Sequence, residues 1–296
     1  MTNTDYNRKK VRRFLLLAFG MAWLIQAFVG MIAAKGGTVV ARLVIAAMMF
    51  VPALAVFMSR GDIGGMGWKP QIKKNLKLIL LAWFAPLILT VIGAALYFLV
   101  FPGHFDISGK ALEASAGADA LAQLEAQGLT YPLYVVISAV GSITYAPLLN
   151  GVLALGEEIG WRGFLYPQLK AKFGRKKAMV LHGLIWGAWH FPLIWLIGYE
   201  YGFGYFGYPV VGMILFAVIT AGWGILHSWI YEKSGSIWLP AILHGAINAA
   251  GTLPIAVWVS GNANAALLGP APVGLLAGLP FLIFAAVIWL KARKED

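Results

Sequence analysis

The chain has 296 residues, of which 60% are hydrophobic and only 12% are charged. Average soluble domains carry about 25% charged residues, so this composition places the chain outside the class of water-soluble globular proteins. The formal net charge is +11 at pH 7. The sequence contains no cysteine, which excludes disulfides, thiolate metal sites and cysteine nucleophiles.

Apolar stretches dominate the chain from its beginning. A helix needs about 20 mainly apolar residues to cross ~30 Å of hydrocarbon. The stretches that qualify are approximately 14–34, 39–58, 76–101, 131–155, 178–197, 209–230, 237–259 and 273–290. The first follows a basic segment but lacks a clear cleavage site, so we interpret it as a retained helix. Pro240 and Pro254 are expected to break the seventh span, and Pro280 to kink the eighth.

The positive charges lie at the ends of these stretches. Lys and Arg cluster at 8–13, 60–77, 170–177, 233 and 291–294, which are alternate connections between the spans. Cytosolic loops carry such an excess, so we predict that both termini are cytosolic. Because the positive charges lie at the ends of the spans, we interpret them as topology signals and expect no nucleic-acid partner. The acidic segment 102–130 then lies outside, where we expect a solvated loop.

These features predict an all-α fold, a polytopic bundle of about eight transmembrane helices. We assign residues 1–296 to a single integral membrane domain, with a core of functional motifs at about 131–259. No internal repeat and no soluble domain is visible in the sequence.

Three polar clusters interrupt the apolar spans, at 156–163, 186–192 and 244–248. Ionisable groups at membrane depth are costly, so each is a functional hypothesis. Each cluster lies 11 to 13 residues from the nearest cytosolic lysine. At 1.5 Å per residue this is roughly 16–20 Å along a helix, so three helices bring polar groups to a similar depth.

The first cluster contains two adjacent glutamates, Glu157 and Glu158. Glu158 and Arg162 are four residues apart, in the order that favours an ion pair on one helix face. Glu157 is expected to have no partner in its own helix, so its carboxylate must find a cation, a histidine, water or a proton. We therefore predict that Glu157 is functional and that Glu158 and Arg162 support it.

The other clusters supply histidines and an amide. His190 is followed two residues later by Pro192, which is expected to bend the helix and open a polar pocket. His244 and Asn248 are four residues apart and share one helix face, where their donors could hold an oxyanion. Interhelical hydrogen bonding is the structural alternative for both. The remaining histidines and two nearby polar residues are expected to be structural, interfacial or pocket-shaping: His104, His182, His227, Tyr145 and Asn150.

At these residues the chain resembles the CAAX-processing and bacteriocin-processing (CPBP, or Abi) family of intramembrane endopeptidases. Glu157, Glu158 and Arg162 match its first motif, followed by Gly163-Phe164-Leu165 and Pro167. His190 matches the second, with Trp186 where phenylalanine is more usual. His244 and Asn248 match the third. The motifs occur in the family's order, from about 156 to 250.

The resemblance implies a peptidase mechanism for these residues. Glu157 and His190 would activate a water, and His244 and Asn248 would stabilise the oxyanion. A carboxylate and a neutral imidazole are chemically suited to those roles. We expect no cofactor, although Zn²⁺ is an alternative, in which case Glu157, His190 and His244 would be its ligands. No HExxH or GxSxG run is present, and no aspartate falls inside a span.

We therefore predict an intramembrane endopeptidase that cuts a membrane-associated protein or peptide near its C-terminus. The expected partners are the lipid bilayer and a membrane-embedded or lipidated substrate, prenylated or not. The expected location is the plasma membrane of a prokaryote, with the active site opening toward the cytosolic half. A non-catalytic immunity or scaffold protein is the alternative function, followed by a transporter with midplane carboxylates.

Overall fold

The computed structural model describes residues 5–292. Within these residues the regular structure is helical, and the one β feature is an isolated antiparallel bridge between Phe105 and Trp258. The all-α fold is therefore confirmed. The helices are α1 (Arg8–Ala34), α2 (Thr38–Met48), α3 (Val51–Met58), α4 (Ile72–Val100), α5 (Lys110–Ala116), α6 (Ala120–Ala126), α7 (Tyr131–Ile143), α8 (Ala146–Glu158), α9 (Tyr166–Phe173), α10 (Arg175–Trp189), α11 (Phe191–Ile197), α12 (Val210–Ser234), α13 (Trp238–Ala256), α14 (Ala265–Leu268) and α15 (Leu279–Lys291). A π-helix (Ile159–Leu165) joins α8 to α9, and short 3-10 turns occupy Gly64–Met66 and Pro102–His104.

Six helical segments of the described chain are long and apolar enough to cross a membrane. They are α1, α2 with α3, α4, α10 with α11, α12 and α13. A seventh is counted if α6 and α7, which meet at 86°, form one broken span. Several apolar helices of spanning length make this an integral membrane protein.

The expectation of eight spans is not confirmed. The predicted span 131–155 is divided between α7 and α8, because the helix is interrupted at Thr144 and Tyr145. The predicted span 273–290 is reduced to α15, which has 13 residues. At 1.5 Å per residue α15 is about 20 Å long and too short to cross ~30 Å of hydrocarbon unaided. Residues Arg293 and Lys294, which we used to orient the C-terminus, lie outside the described residues.

Two of the proline expectations are wrong for a common reason. Pro240 and Pro280 lie in the first turns of α13 and α15, where a backbone N–H has no partner within the helix. Proline is tolerated at such positions, so α13 runs unbroken past Pro240, and Pro254 lies in its last turn. The expected interruption near Pro192 is present, since α10 ends at Trp189 and α11 begins at Phe191.

The segments that carry most of the Lys and Arg residues meet at one end of the bundle, which we call the basic end. The backbone N–H of Asn7 donates to Gln168, and Lys176 lies over the ring of Trp289. Asn75 donates to the backbone of Ser234. The acidic segment 102–130 lies at the opposite end, where Phe105 pairs with Trp258. That segment contains α5 and α6 rather than an irregular loop.

Glycines bring α8 and α13 into close contact. A Cβ added to Gly245 would lie 2.3 Å from the backbone nitrogen of Gly151 and 2.4 Å from the carbonyl oxygen of Pro147. No side chain fits in that space, so the two backbones touch, as small residues allow in membrane helix pairs. The contact holds the end of α8, with its glutamates, next to the first half of α13, with His244.

Candidate active site

The glycines of the first motif set the position of the two glutamates. A Cβ on Gly156 would lie 2.6 Å from the carbonyl oxygen of Met49, and one on Gly160 would lie 2.4 Å from Cβ of Pro52. Both glycines therefore press this segment against the junction of α2 and α3. The chain changes from α-helix to π-helix directly after Glu158. Such π segments are frequent at functional sites.

Glu157 is held by two tryptophan side chains. The indole N–H of Trp186 donates to its Oε2 over 2.6 Å, and that of Trp161 donates to the same atom over 3.2 Å. The residue is 2% exposed. The expectation that Glu157 has no partner in its own helix is therefore wrong, because Trp161 lies one turn ahead and carries a donor. Within the described residues Glu157 forms no salt bridge. The hydrogen bonds from the two indoles reduce the free-energy cost of burying its carboxylate.

Glu158 has the ionic partners that its neighbour lacks. Its Oε1 lies 2.8 Å from Nη1 of Arg162, so the predicted ion pair is confirmed. The same oxygen lies 2.8 Å from Nδ1 of His244, a contact that the sequence did not predict. Both Glu158 and Arg162 are fully buried. The guanidinium of Arg162 also lies 4.2 Å from the ring centroid of Trp186, a cation–π distance.

His190 occupies the interruption between α10 and α11. Its Nδ1 lies 3.0 Å from the backbone carbonyl oxygen of Trp186. A carbonyl only accepts hydrogen bonds, so Nδ1 carries a proton and a neutral ring has its lone pair on Nε2. His190 is packed between aromatic rings. Its ring centroid lies 6.0 Å from that of Tyr199 and 5.1 Å from that of Phe216. This tautomer makes His190 an acceptor at Nε2.

The contact with Glu158 restricts what His244 can donate. If Glu158 is ionised, Nδ1 of His244 donates to it, and a neutral imidazole then has no second N–H. Donation from Nε2 to an oxyanion therefore requires the imidazolium form. Asn248, one turn further along α13, is exposed to the neighbouring cavity and carries an amide donor in any protonation state.

One cavity of about 400 Å³ brings the predicted catalytic residues together. Glu157, His190, His244 and Asn248 all line it, whereas Glu158 and Arg162 lie behind this surface. From these residues the cavity extends past Thr252 and Ile255 of α13 and past residues 271–273, toward the end of the bundle that is opposite the basic end. This part of the cavity lies away from the basic end, and the expected opening toward the cytosolic half stays a prediction. Distance from the basic end was readable from the sequence, but the direction of the open space was not.

Two residues after α11 complete the wall of this cavity and were not predicted. Glu200 has a left-handed backbone, with φ of 68°, and its side chain reaches the cavity. The side chain of Tyr199 donates a hydrogen bond to the Glu200 carboxyl. Burial, and then the neighbouring Glu200, raise the pKa of Tyr199 well above its usual value. No simple sequence signal identified them, because they lie in a loop outside the motifs.

His227 of α12 also belongs to this region, although it was a weaker candidate in the sequence. Its Nδ1 lies 2.6 Å from the carbonyl oxygen of Trp223, which leaves Nε2 as an acceptor with no hydrogen-bond partner in the described protein. Its ring centroid is 5.7 Å from that of His244. A histidine inside an apolar span was the available signal, but its neighbours on other helices could not be read from it.

The described residues contain a group of potential metal ligands that differs from the predicted one. Atoms of Glu158, His227 and His244 lie within 4.8 Å of one another. Two imidazoles and a carboxylate suit Zn²⁺. However, the positive guanidinium of Arg162 is 2.8 Å from the Glu158 oxygen and would repel a divalent cation there. The other oxygen of Glu158, Oε2, and Nε2 of His227 have no hydrogen-bond partner in the described protein. Arg162 thus opposes a cation at Oε1 of Glu158, and we derive no step through a metal.

The fold and the site define a class of protein, namely integral membrane helix bundles with a buried polar centre at the head of an internal cavity. Residues 131–250 match the family model described as type II CAAX prenyl endopeptidase Rce1-like. A 110-residue segment is 34% identical to a protein of Methanococcus maripaludis described as CAAX prenyl protease 2. That alignment covers 36% of this chain and 40% of the relative. Residues 131–250 are thus similar to the Rce1-like CAAX proteases, which confirms the resemblance inferred from the three motifs.

Proposed function

We propose that this protein is an intramembrane endopeptidase that hydrolyses a peptide bond of a membrane-associated protein or peptide. One observation carries the proposal above the others. Glu157 lines the same cavity as His190, His244 and Asn248, while the adjacent Glu158 takes the ionic contacts with Arg162 and His244. A carboxylate without a cation partner remains able to accept a proton, as a general base must.

In the proposed reaction, Glu157 takes a proton from a water molecule while the oxygen of that water attacks the carbonyl carbon of the scissile bond. His190 accepts a hydrogen bond from the same water at Nε2 and so orients it. The amide of Asn248 and the imidazolium form of His244 donate to the oxyanion of the tetrahedral intermediate. The proton held by Glu157 then passes to the leaving nitrogen as the C–N bond breaks, which yields a new carboxyl group and a new amine.

The proposed substrate class follows from the description of the relative and from the cavity wall. The relative is described as a prenyl protease, so a prenylated peptide is the first substrate to test. The cavity wall consists mainly of aliphatic and aromatic side chains, among them Met48, Leu193 and Ile247, which suits an apolar segment. No lysine or arginine is among the described residues that line it, so nothing there would neutralise a free carboxylate near the scissile bond.

The test uses purified protein in detergent and a quenched peptide, prepared with and without a C-terminal prenyl group. Wild-type protein is compared with Glu157→Gln, and Glu125→Gln in the exposed segment 102–130 is the matched control. We expect cleavage by wild type and by the control, with a loss on the order of 10²–10⁴-fold in Glu157→Gln. New termini are identified by mass spectrometry. Equal cleavage by Glu157→Gln would end the assignment of Glu157 as the base.

A further inference from the structure

The cavity that contains Glu157 carries a second carboxylate. Glu200, in the loop after α11, lines the same cavity of about 400 Å³ as His190 and His244. No lysine or arginine is among the described residues that line it. The proposed reaction uses Glu157 and both histidines but leaves Glu200 without a role.

The loop fixes the position of Glu200 at the cavity wall. Its backbone has φ of 68°, in the left-handed region that non-glycine residues rarely adopt. On one side, the backbone N–H of Tyr199 donates to the carbonyl oxygen of Leu193 in α11. On the other, Tyr201 is 2% exposed and its hydroxyl donates to the carbonyl oxygen of Val273 over 2.9 Å. Both neighbours of Glu200 are therefore anchored to packed parts of the bundle.

Tyr199 connects Glu200 to the candidate catalytic residues. Its ring lies 6.0 Å from that of His190, and the two planes are nearly parallel, at 10°. Its side chain donates to the Glu200 carboxyl. Burial, and then the charges of Glu200 and Glu157, raise the pKa of Tyr199, so its hydroxyl lies near both carboxylates. A group bound by Glu200 is therefore close to the residues proposed to act on the scissile bond.

Glu200 has no positively charged partner in the part of the chain that the structure describes. Its carboxylate forms no salt bridge there, and its side chain is exposed. Glu232 differs in this respect, because Lys170 and Arg175 both contact its carboxylate. An ionised carboxylate accepts hydrogen bonds at two oxygens and binds ammonium and guanidinium groups well. Glu200 thus keeps the capacity to bind a cation from outside the chain.

We propose that Glu200 is a specificity-determining residue, which binds a lysine or arginine side chain of the substrate close to the scissile bond. The inference rests on the proposed function and adds a basic residue to its substrate class. Leu193 and Ile247 of the cavity wall suit the aliphatic part of such a side chain, while its charged end reaches Glu200. With Glu157 in the same cavity, acidic peptide segments are disfavoured there by like charge.

Peptides that differ in one charge test this inference. Quenched peptides of one sequence carry Lys, Gln or Glu in turn at each position near the scissile bond. We measure kcat and KM for wild type, Glu200→Gln and Glu200→Lys. Glu125→Gln, in the exposed segment 102–130, makes the same chemical change away from the cavity and is the matched control. The ratio of two peptides for one variant does not depend on the folded fraction, so a partly unfolded variant still gives a result.

We expect wild type and Glu125→Gln to have a lower KM for the Lys peptide than for the Gln peptide at one position, by on the order of tenfold. The value of kcat should be similar, because a contact present in both the ground state and the transition state changes KM. Glu200→Gln should lose the difference, and Glu200→Lys should prefer the Glu peptide at that position. A preference for Lys that persists in Glu200→Gln, or no preference in wild type, would overturn the inference.

A binding measurement separates this inference from the proposed function. Fluorescence anisotropy of the labelled peptides requires no hydrolysis. A preference for Lys in binding that disappears in Glu200→Gln, without cleavage by wild type, supports the role of Glu200 and overturns the proposed function. Cleavage without a charge preference overturns the role of Glu200 alone. The absence of both cleavage and preference overturns both.

Discussion

The indole N–H of Trp186 lies 2.6 Å from Oε2 of Glu157, although the two residues belong to different helices. The same indole ring faces the guanidinium of Arg162 at 4.2 Å. Trp186 thus contacts both the proposed base and the cation that neutralises Glu158. Phenylalanine, which is more usual at this motif position, could supply the ring face but not the N–H.

We expect Trp186→Phe to lower turnover by roughly 10–100-fold, since a hydrogen bond to a charged group contributes about 1.5–3 kcal/mol. The ring over Arg162 is retained, so the melting temperature should fall little. Trp189→Phe is the matched control, because its indole donates to the backbone of Ala18 and not to Glu157. Equal rate losses in the two variants would show that orientation of Glu157 by Trp186 is unimportant.

Glu158→Gln should mainly destabilise the protein. The change leaves Arg162 as a buried cation without its carboxylate, and breaking one partner of a buried pair costs about 3–5 kcal/mol. It also replaces the carboxylate that contacts Nδ1 of His244 with an amide. We therefore expect a lower melting temperature together with a lower turnover per folded molecule. Unchanged turnover per folded molecule would mean that the contact of Glu158 with His244 has no part in the proposed mechanism.

Asn248→Ala tests the oxyanion donor. An interaction made only in the transition state affects kcat and not KM, and loss of one such donor costs on the order of 10²–10³-fold. Because Asn248 is exposed to the cavity, its truncation should leave the melting temperature nearly unchanged. A purely structural role would give the reverse pattern, with a lower melting temperature and normal turnover per folded molecule.

Chelators should leave the activity unchanged, because the positive charge of Arg162 beside Glu158 opposes the binding of a divalent cation there. The measurement is the rate after dialysis against a strong chelator and after addition of Zn²⁺. His227→Gln provides a second readout, since metal content by mass spectrometry should equal that of wild type. Activity that is lost to the chelator and restored by Zn²⁺ would contradict this prediction.

Gly245→Ala should lower the melting temperature, and the same change at Gly251 should not. A Cβ at Gly245 meets the backbone of α8 at 2.3 Å, whereas one at Gly251 meets Pro272 at 3.6 Å, an ordinary contact. Overpacking typically costs about 1–3 kcal/mol. Equal melting temperatures in these two α13 variants would mean that the α8–α13 contact is not as close as described.

The sequence was enough to predict those contacts and lengths that lie within a single helix. The i,i+4 spacing of Glu158 and Arg162 gave the ion pair, and the lengths of the apolar runs gave most of the spanning helices. The contacts from Trp186 to Glu157 and from His244 to Glu158 join different helices, so no spacing along the chain encodes them.

The direction of the cavity could not be predicted for a related reason. Counting residues from the basic loops gives the distance of His190 and His244 from one end of the bundle, but it does not say which side of the site is filled. That depends on large side chains such as Trp161, which the fold places on the basic side. Span counting failed at 131–155 because an interrupted helix and a continuous one have the same apolar composition.

Glu232, near the end of α12, affects how the bundle can open. Its carboxylate accepts a hydrogen bond from Tyr166 at 2.7 Å and lies 2.9 Å from Nζ of Lys170 and 2.7 Å from Nε of Arg175. These contacts join α9, the start of α10 and the end of α12 at the basic end. Any separation of α10 and α12 that enlarges the cavity must therefore pivot about this point, with the largest displacement near Tyr199 and Phe216.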